Sequence, residues 1–153
     1  MGGSRKNPCL VGAKVTDEIK SAWVSSSGAQ ETQKPWGTEI SWSGFGGIHG
    51  KTLFIQEGHR TSLKYNLRKT EVLMVRSGTV EATFGDERTL ENPNSNPFKT
   101  QILNQGDSLL VQSCCPYRIR AITNCEIFEI GDSAKDTPIR IEDDYGRIKN
   151  EDA

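Results

Sequence analysis

The stretch that decides the fold runs from Gly58 to Gly78 and reads GHRTSLKYNLRKTEVLMVRSG. It divides into two short β-rich runs, Ser62–Asn66 and Glu71–Ser77, bounded by glycine-bearing turns. Side chains alternate along a strand, so Ser62, Lys64 and Asn66 share one side while Leu63 and Tyr65 take the other. The spacing is Gly58-x5-Lys64-x-Asn66-x4-Glu71-x6-Gly78. Downstream, Gly106 through Tyr117 reads GDSLLVQSCCPY, with Gln112, Cys114 and Tyr117 at its later fixed positions.

Taken together, the two stretches resemble the paired signatures of the cupin family, G-x5-H-x-H-x4-E-x6-G and G-x5-P-x-G-x2-H. Gly58, Glu71, Gly78 and Gly106 hold their places. Lys64 and Asn66 stand where the first signature has histidines, and Tyr117 stands where the second has one. Gln112 and Cys114 replace the proline and the glycine. Three further segments narrow the resemblance: Lys34-Pro35-Trp36-Gly37, Ser62-Leu63, and the run from Arg140 to Arg147, RIEDDYGR. That set is similar to the cupin domain of type II mannose-6-phosphate isomerases, which also forms the C-terminal half of bifunctional mannose-1-phosphate guanylyltransferases. The resemblance covers roughly Lys34 to Arg147. It implies an all-β cupin double-stranded β-helix, a jelly-roll barrel, carrying an N-terminal arm. Family likeness does not by itself transfer an activity.

The rest of the chain agrees with that architecture. Its 153 residues suffice for one domain and not two, so no guanylyltransferase half is expected. Residues 1–33 are polar and read as an arm, partly disordered or carrying a short helix at Val15–Val24. Residues 34–147 form the cupin domain and 148–153 a tail. The remaining expected strands are Thr38–Trp42, Lys51–Gln56, Thr79–Phe84, Lys99–Leu103, Ser108–Gln112, Tyr117–Ala121 and Glu126–Ile130, in the spacing of a sandwich or barrel. Leu90 to Pro97 reads as an exposed loop, and Gly44–Gly47 lacks the Lys-Ser/Thr of a phosphate loop. A formal net charge of −1 gives no reason to expect nucleic acid as a partner. No apolar run approaches a membrane span, and Cys9–Ala13 is too short for a signal peptide, so the expected setting is cytoplasmic. The cysteines form no C-x-x-C pair; adjacent Cys114 and Cys115 read as small, partly buried turn residues.

The resemblance implies that the face carrying Ser62, Lys64 and Asn66 looks into the barrel, joined there by Glu71 and Tyr117. Lysine and tyrosine keep their protons near neutral pH and donate poorly to a metal, while a lysine cation repels a dication. The expectation is therefore a pocket without metal or other cofactor. Its catalytic candidates are Lys64, Glu71 and Tyr117, with Lys64 paired to Glu71 in place of the metal charge. Asn66, Ser62, Arg60 and Lys69 are the ligand-binding candidates. Arg118 and Arg120 point away from the pocket and read as solvated or interfacial, and His59 reads as a lone surface histidine. The functional expectation is a sugar phosphate or nucleotide sugar, either turned over by an isomerase or epimerase or only bound. A homodimer is expected, and the alternative function is a non-catalytic carbohydrate-binding or structural or regulatory dimeric module with a vestigial pocket, in which Val72 and Met74 contribute to the interface.

Overall fold

The computed structural model describes residues 21–26, 28–132 and 137–148. The described residues form an all-β jelly roll of two antiparallel sheets. The first sheet has the order β1-β2-β3-β10-β5-β8 and the second β11-β4-β9-β6-β7. The first is built from β1 (Gln30–Lys34), β2 (Gly37–Ser41), β3 (Ile48–Ile55), β5 (Glu71–Ser77), β8 (Ser108–Val111) and β10 (Cys125–Asp132). The second contains β4 (Leu63–Tyr65), β6 (Val80–Phe84), β7 (Lys99–Leu103), β9 (Tyr117–Ala121) and β11 (Ile139–Glu142).

Period-two alternation assigns the inner faces. Along β10, Cys125, Ile127 and Glu129 are buried while Phe128 and Ile130 turn outward. Register carries this across the sheet: Ile127 lies opposite Leu53 on β3 and Val75 on β5. From the other sheet, Val80, Ala82, Ile119 and Ala121 close the core at 1% exposure or less. Each large aliphatic side chain so buried contributes about 1.5–3 kcal/mol. The apolar packing fills one end of the barrel; polar inward residues occupy the other, and the cavity lies there.

The C-terminal segment seals the second sheet. Arg60 grips Asp144 bidentately, with Nε and Nη2 at 2.6 and 2.8 Å from its carboxylate oxygens. The Tyr145 hydroxyl donates to the Arg60 carbonyl at 3.0 Å, and Arg118 donates to Glu142 at 3.0 Å. These contacts hold β11 against β4 and so place Arg140 directly opposite Lys64.

Several boundaries differ from the sequence expectation. The sheet begins at Gln30, inside the expected arm, because QETQK pairs with β2 as a polar edge strand with no apolar pattern to announce it. The expected helix Val15–Val24 lies mostly outside the described residues, and its described end, Ser21–Val24, is not helical. Glu87–Glu91 forms one helical turn, α1, which takes in the first two residues of the expected Leu90–Pro97 loop. The Asp86 carboxylate caps it by accepting from the backbone N–H groups of Arg88 and Thr89, while Thr89 Oγ1 accepts from the Asp86 backbone N–H. Among the described residues, no helix is long and apolar enough to cross a membrane. On the outer face of the first sheet, Leu110, Val72 and Ile130 align across β8, β5 and β10 and remain exposed.

Candidate functional site

A cavity of about 560 Å3 opens into the polar end of the barrel. Ser62, Lys64, Asn66, Glu71 and Tyr117 all line it, so alternation along β4 brings the expected cluster together. Lys69 lines it as well, from the turn between β4 and β5.

The internal pairing differs from the expected one. Lys69, not Lys64, neutralises Glu71: its Nζ lies 2.6 Å from Glu71 Oε1 and 3.2 Å from Glu129 Oε1. Asn66 Nδ2 donates to the same Glu71 oxygen at 3.0 Å, and the buried Tyr117 hydroxyl donates to Oε2. The physical reason is room. Gly131 sits in register between Glu71 and His49, and a Cβ there would lie 2.7 Å from Lys69 Cε. The missing side chain leaves a slot along which Lys69 reaches both carboxylates. Lys64 makes no hydrogen bond or ion pair among the described residues; its Nζ lies 5.8 Å from the centroid of the Tyr117 ring.

Two arginines lie differently from the expected arrangement. Arg60 does not line the cavity; its guanidinium is paired with Asp144. Arg118 does point away from the cavity, but it is buried at 5% exposure rather than solvated, donating to the Thr61 carbonyl and to Glu142. Arg120 is exposed beside Glu81, and His59 stays outside the cavity. Glu129, Lys51 and His49 line the cavity in addition, and alternation could have found them: Glu129 shares the inner face with Cys125 and Ile127, and His49 and Lys51 share theirs with Leu53 and Ile55. Arg140 and Arg147, from the C-terminal run, complete the basic lining.

Burial works to raise the Glu71 pKa, but the hydrogen bond and charge of Lys69, the Tyr117 hydroxyl and the Lys64 charge outweigh it and hold it below its ordinary value. Burial also opposes the charge on Lys69, yet Glu129 and Glu71 raise its pKa. Tyr117 is pushed well above the usual phenol by burial, with Glu71 and Glu129 adding to it. Because the native Glu71 carboxylate binds a proton less readily than the unfolded one, its stabilisation is complete above its ordinary value of 4.5. That stabilisation is lost as pH falls through the lowered native pKa. The expected result is a urea midpoint that drops in acid, with a flatter acid limb in Glu71→Gln. An equally steep limb in that variant would contradict the assignment.

The turn before β9 confirms the register of the second signature. Cys114, at the glycine position, has φ 61°, the one positive value outside glycine among the described residues. A side chain in that region costs about 1–2 kcal/mol. Cys114→Gly is therefore expected to raise stability by up to about 1 kcal/mol, after the extra chain entropy of glycine. A loss of stability on chemical denaturation would show that the cysteine's own contacts outweigh the strain.

Similar folds occur among solved structures. KdgF from Halomonas sp. superposes with TM-score 0.56 at 10% identity, over 67% of this chain and 84% of that one. Oxalate decarboxylase from Lactobacillus farciminis, in its formate complex, gives TM-score 0.65 at 14% identity over 82% of this chain. The fold is that of the cupins. CapF, solved with 3-isopropenyl-tropolone, matches at TM-score 0.56 and 9% identity over 68% of this chain. This chain spans 38% of the length of that oxalate decarboxylase and 29% of CapF. No family model and no curated protein sequence matches the chain.

The cupin frame implies a metal held at the positions of Lys64, Asn66, Glu71 and Tyr117, and these residues do not fit one. Glu71 is the sole carboxylate of the four, and both of its oxygens are engaged by Lys69, Asn66 and Tyr117. The high-pKa phenol of Tyr117 supplies no further donor, and the Lys69 ammonium repels a dication. Among the described residues no group of three His, Cys, Asp or Glu side chains is placed to hold an ion.

Proposed function

We propose that this chain is a metal-free cupin that takes a small phosphorylated sugar or nucleotide sugar into its barrel, in line with its mannose-6-phosphate isomerase-like segments. The observation that carries the reading is the pair Lys64 and Arg140. They lie directly opposite on β4 and β11, both line the cavity, and neither forms an ion pair among the described residues. Like charges directly opposite on neighbouring strands destabilise a sheet, so the position favours an anion bound at Arg140 beside an amine at Lys64 that readily gives up its proton. The wider lining agrees: Lys34, Lys51, Lys69 and Arg147 join them against Glu39, Glu71 and Glu129. Arg140 Nε is buried without a hydrogen-bond partner among the described residues, a guanidinium edge suited to phosphate. Asn66 Oδ1 is likewise buried without a partner, which leaves an acceptor for a sugar hydroxyl.

In this reading Lys64 faces the carbonyl end of the ligand, and the Tyr117–Glu71 pair stands beside it to hold or move a proton. A second reading, a binding module without turnover, is favoured by the closure of the Lys69–Glu71–Glu129–Tyr117 network, whose members already satisfy one another. Thermal unfolding with fructose 6-phosphate tests ligand capture. At a hundredfold excess over Kd the expected stabilisation is about 2.7 kcal/mol, a rise of several degrees in Tm. Fructose, lacking the phosphate, is expected to have no comparable effect; equal shifts would sink the reading. Exchange of sugar C–H protons in deuterated water then separates turnover from binding alone.

A further inference from the structure

We infer that Lys64 is a covalent site, whose Nζ condenses with the aldehyde or ketone of a small anionic ligand to form an imine while Arg140 holds the anion. The inference rests on the proposed function above and deepens it by naming the reactive form of the ligand, an open chain with a free carbonyl.

The cavity sorts its lysines into two kinds. Lys51 lies 3.0 Å from Glu39, Lys34 lies 3.9 Å from the same carboxylate, and Lys69 bridges Glu71 and Glu129. Each of these three lies within ion-pair distance of a carboxylate. Lys64 has no such partner among the described residues, although it sits mid-row between Arg140 on β11 and Tyr117 on β9. Lys69 has already taken up both carboxylates whose charge acts on Lys64, Glu129 and Glu71. A second ammonium placed opposite a guanidinium is penalised, whereas a neutral amine at the same point is not. Burial lowers the pKa of Lys64, against the pull of Glu129 and Glu71, and Lys51 and Lys69 lower it further. An amine desolvated beside other cations is the arrangement that makes lysine a nucleophile toward carbonyl carbon.

The step balances without an outside oxidant or reductant. The Lys64 nitrogen lone pair forms a C–N bond as the carbonyl π pair moves to oxygen, which takes up a proton. The resulting carbinolamine loses its hydroxyl group with a proton as water. The nitrogen gives up its remaining proton as the C=N bond forms, so amine and carbonyl yield imine and water.

The test treats the intact protein with D-glyceraldehyde 3-phosphate and sodium cyanoborohydride, then maps the reduced adduct by peptide mass spectrometry. The expected result is a single dominant adduct on Lys64, favoured over other lysines by about tenfold for each unit of lowered pKa. The adduct should be lost in Lys64→Met and reduced in Arg140→Gln, and it should form more slowly with unphosphorylated glyceraldehyde. Mapping on the unmutated chain needs no variant to fold. Labelling spread over surface lysines, with Lys64 unmodified, would overturn the proposal. Binding of fructose 6-phosphate, measured by calorimetry without reductant, separates the failures. Saturable binding without a Lys64 adduct overturns the imine alone, and no binding with no adduct overturns both. Equal adduct formation with and without the phosphate removes the anion from the account and overturns the role given to Arg140.

Discussion

Lys69→Met is expected to lower the free energy of unfolding by about 3–5 kcal/mol, the range for breaking a buried ion pair from one side. Glu71 and Glu129 are exposed to only 3% and 5%, so neither can recover its lost partner from bulk water. The ammonium reaches both carboxylates, at 2.6 and 3.2 Å, and its removal leaves two buried charges facing one another across β5 and β10. One of the two must then take up a proton to remain buried. Urea denaturation measures the loss, and the double variant Lys69→Met, Glu129→Gln should recover part of it by removing one unpaired charge. A Lys69→Met variant within 1 kcal/mol or so of the parent would show that Lys64 or solvent neutralises the pair instead. By contrast, Lys64→Met is expected to leave stability nearly unchanged or raised, since Lys64 neutralises no carboxylate by contact.

Arg140→Gln is expected to weaken fructose 6-phosphate binding by about 10- to 100-fold, the equivalent of about 1.5–3 kcal/mol for a hydrogen bond to a charged group. The fold should be unaffected in kind, because β11 is held through Arg60–Asp144, Tyr145 and Arg118–Glu142 rather than through the Arg140 guanidinium. Calorimetry checks the variant against the parent. The parent's affinity should also fall with added salt, since the site sits in a cavity open to water. Unchanged affinity in Arg140→Gln would move the anion to another part of the basic lining.

How far the sequence carries is clearest at particular residues. Fixed spacing placed Glu71, Gly78 and Gly106, and alternation gathered Ser62, Lys64, Asn66 and Tyr117 on one face, because a strand leaves its side chains only two directions. Glu129 was legible in the same way, as a charge in phase with Cys125 and Ile127. The partner of Glu71 was not. Lys69 comes from a turn, where no period dictates direction, and its path depends on the empty slot at Gly131, a contact across strands far apart in sequence. Arg60 shows the converse: it flanks the right strand, but an ion pair 84 residues away turns it outward. The polar edge strand Gln30–Lys34 lacks any apolar rhythm, so its pairing with β2 is visible only in three dimensions. The positive φ at Cys114 ran against residue preference and was marked only by its place in the second frame.

The central claim is that the barrel holds a phosphorylated sugar through Lys64 and Arg140 without a metal. Calorimetric titration of fructose 6-phosphate into protein dialysed exhaustively against a chelator tests it most directly. The account predicts saturable binding of one ligand per chain, unchanged by the chelator and by added zinc or manganese. Binding that disappears on chelation and returns with metal would contradict it, as would the absence of any saturable heat.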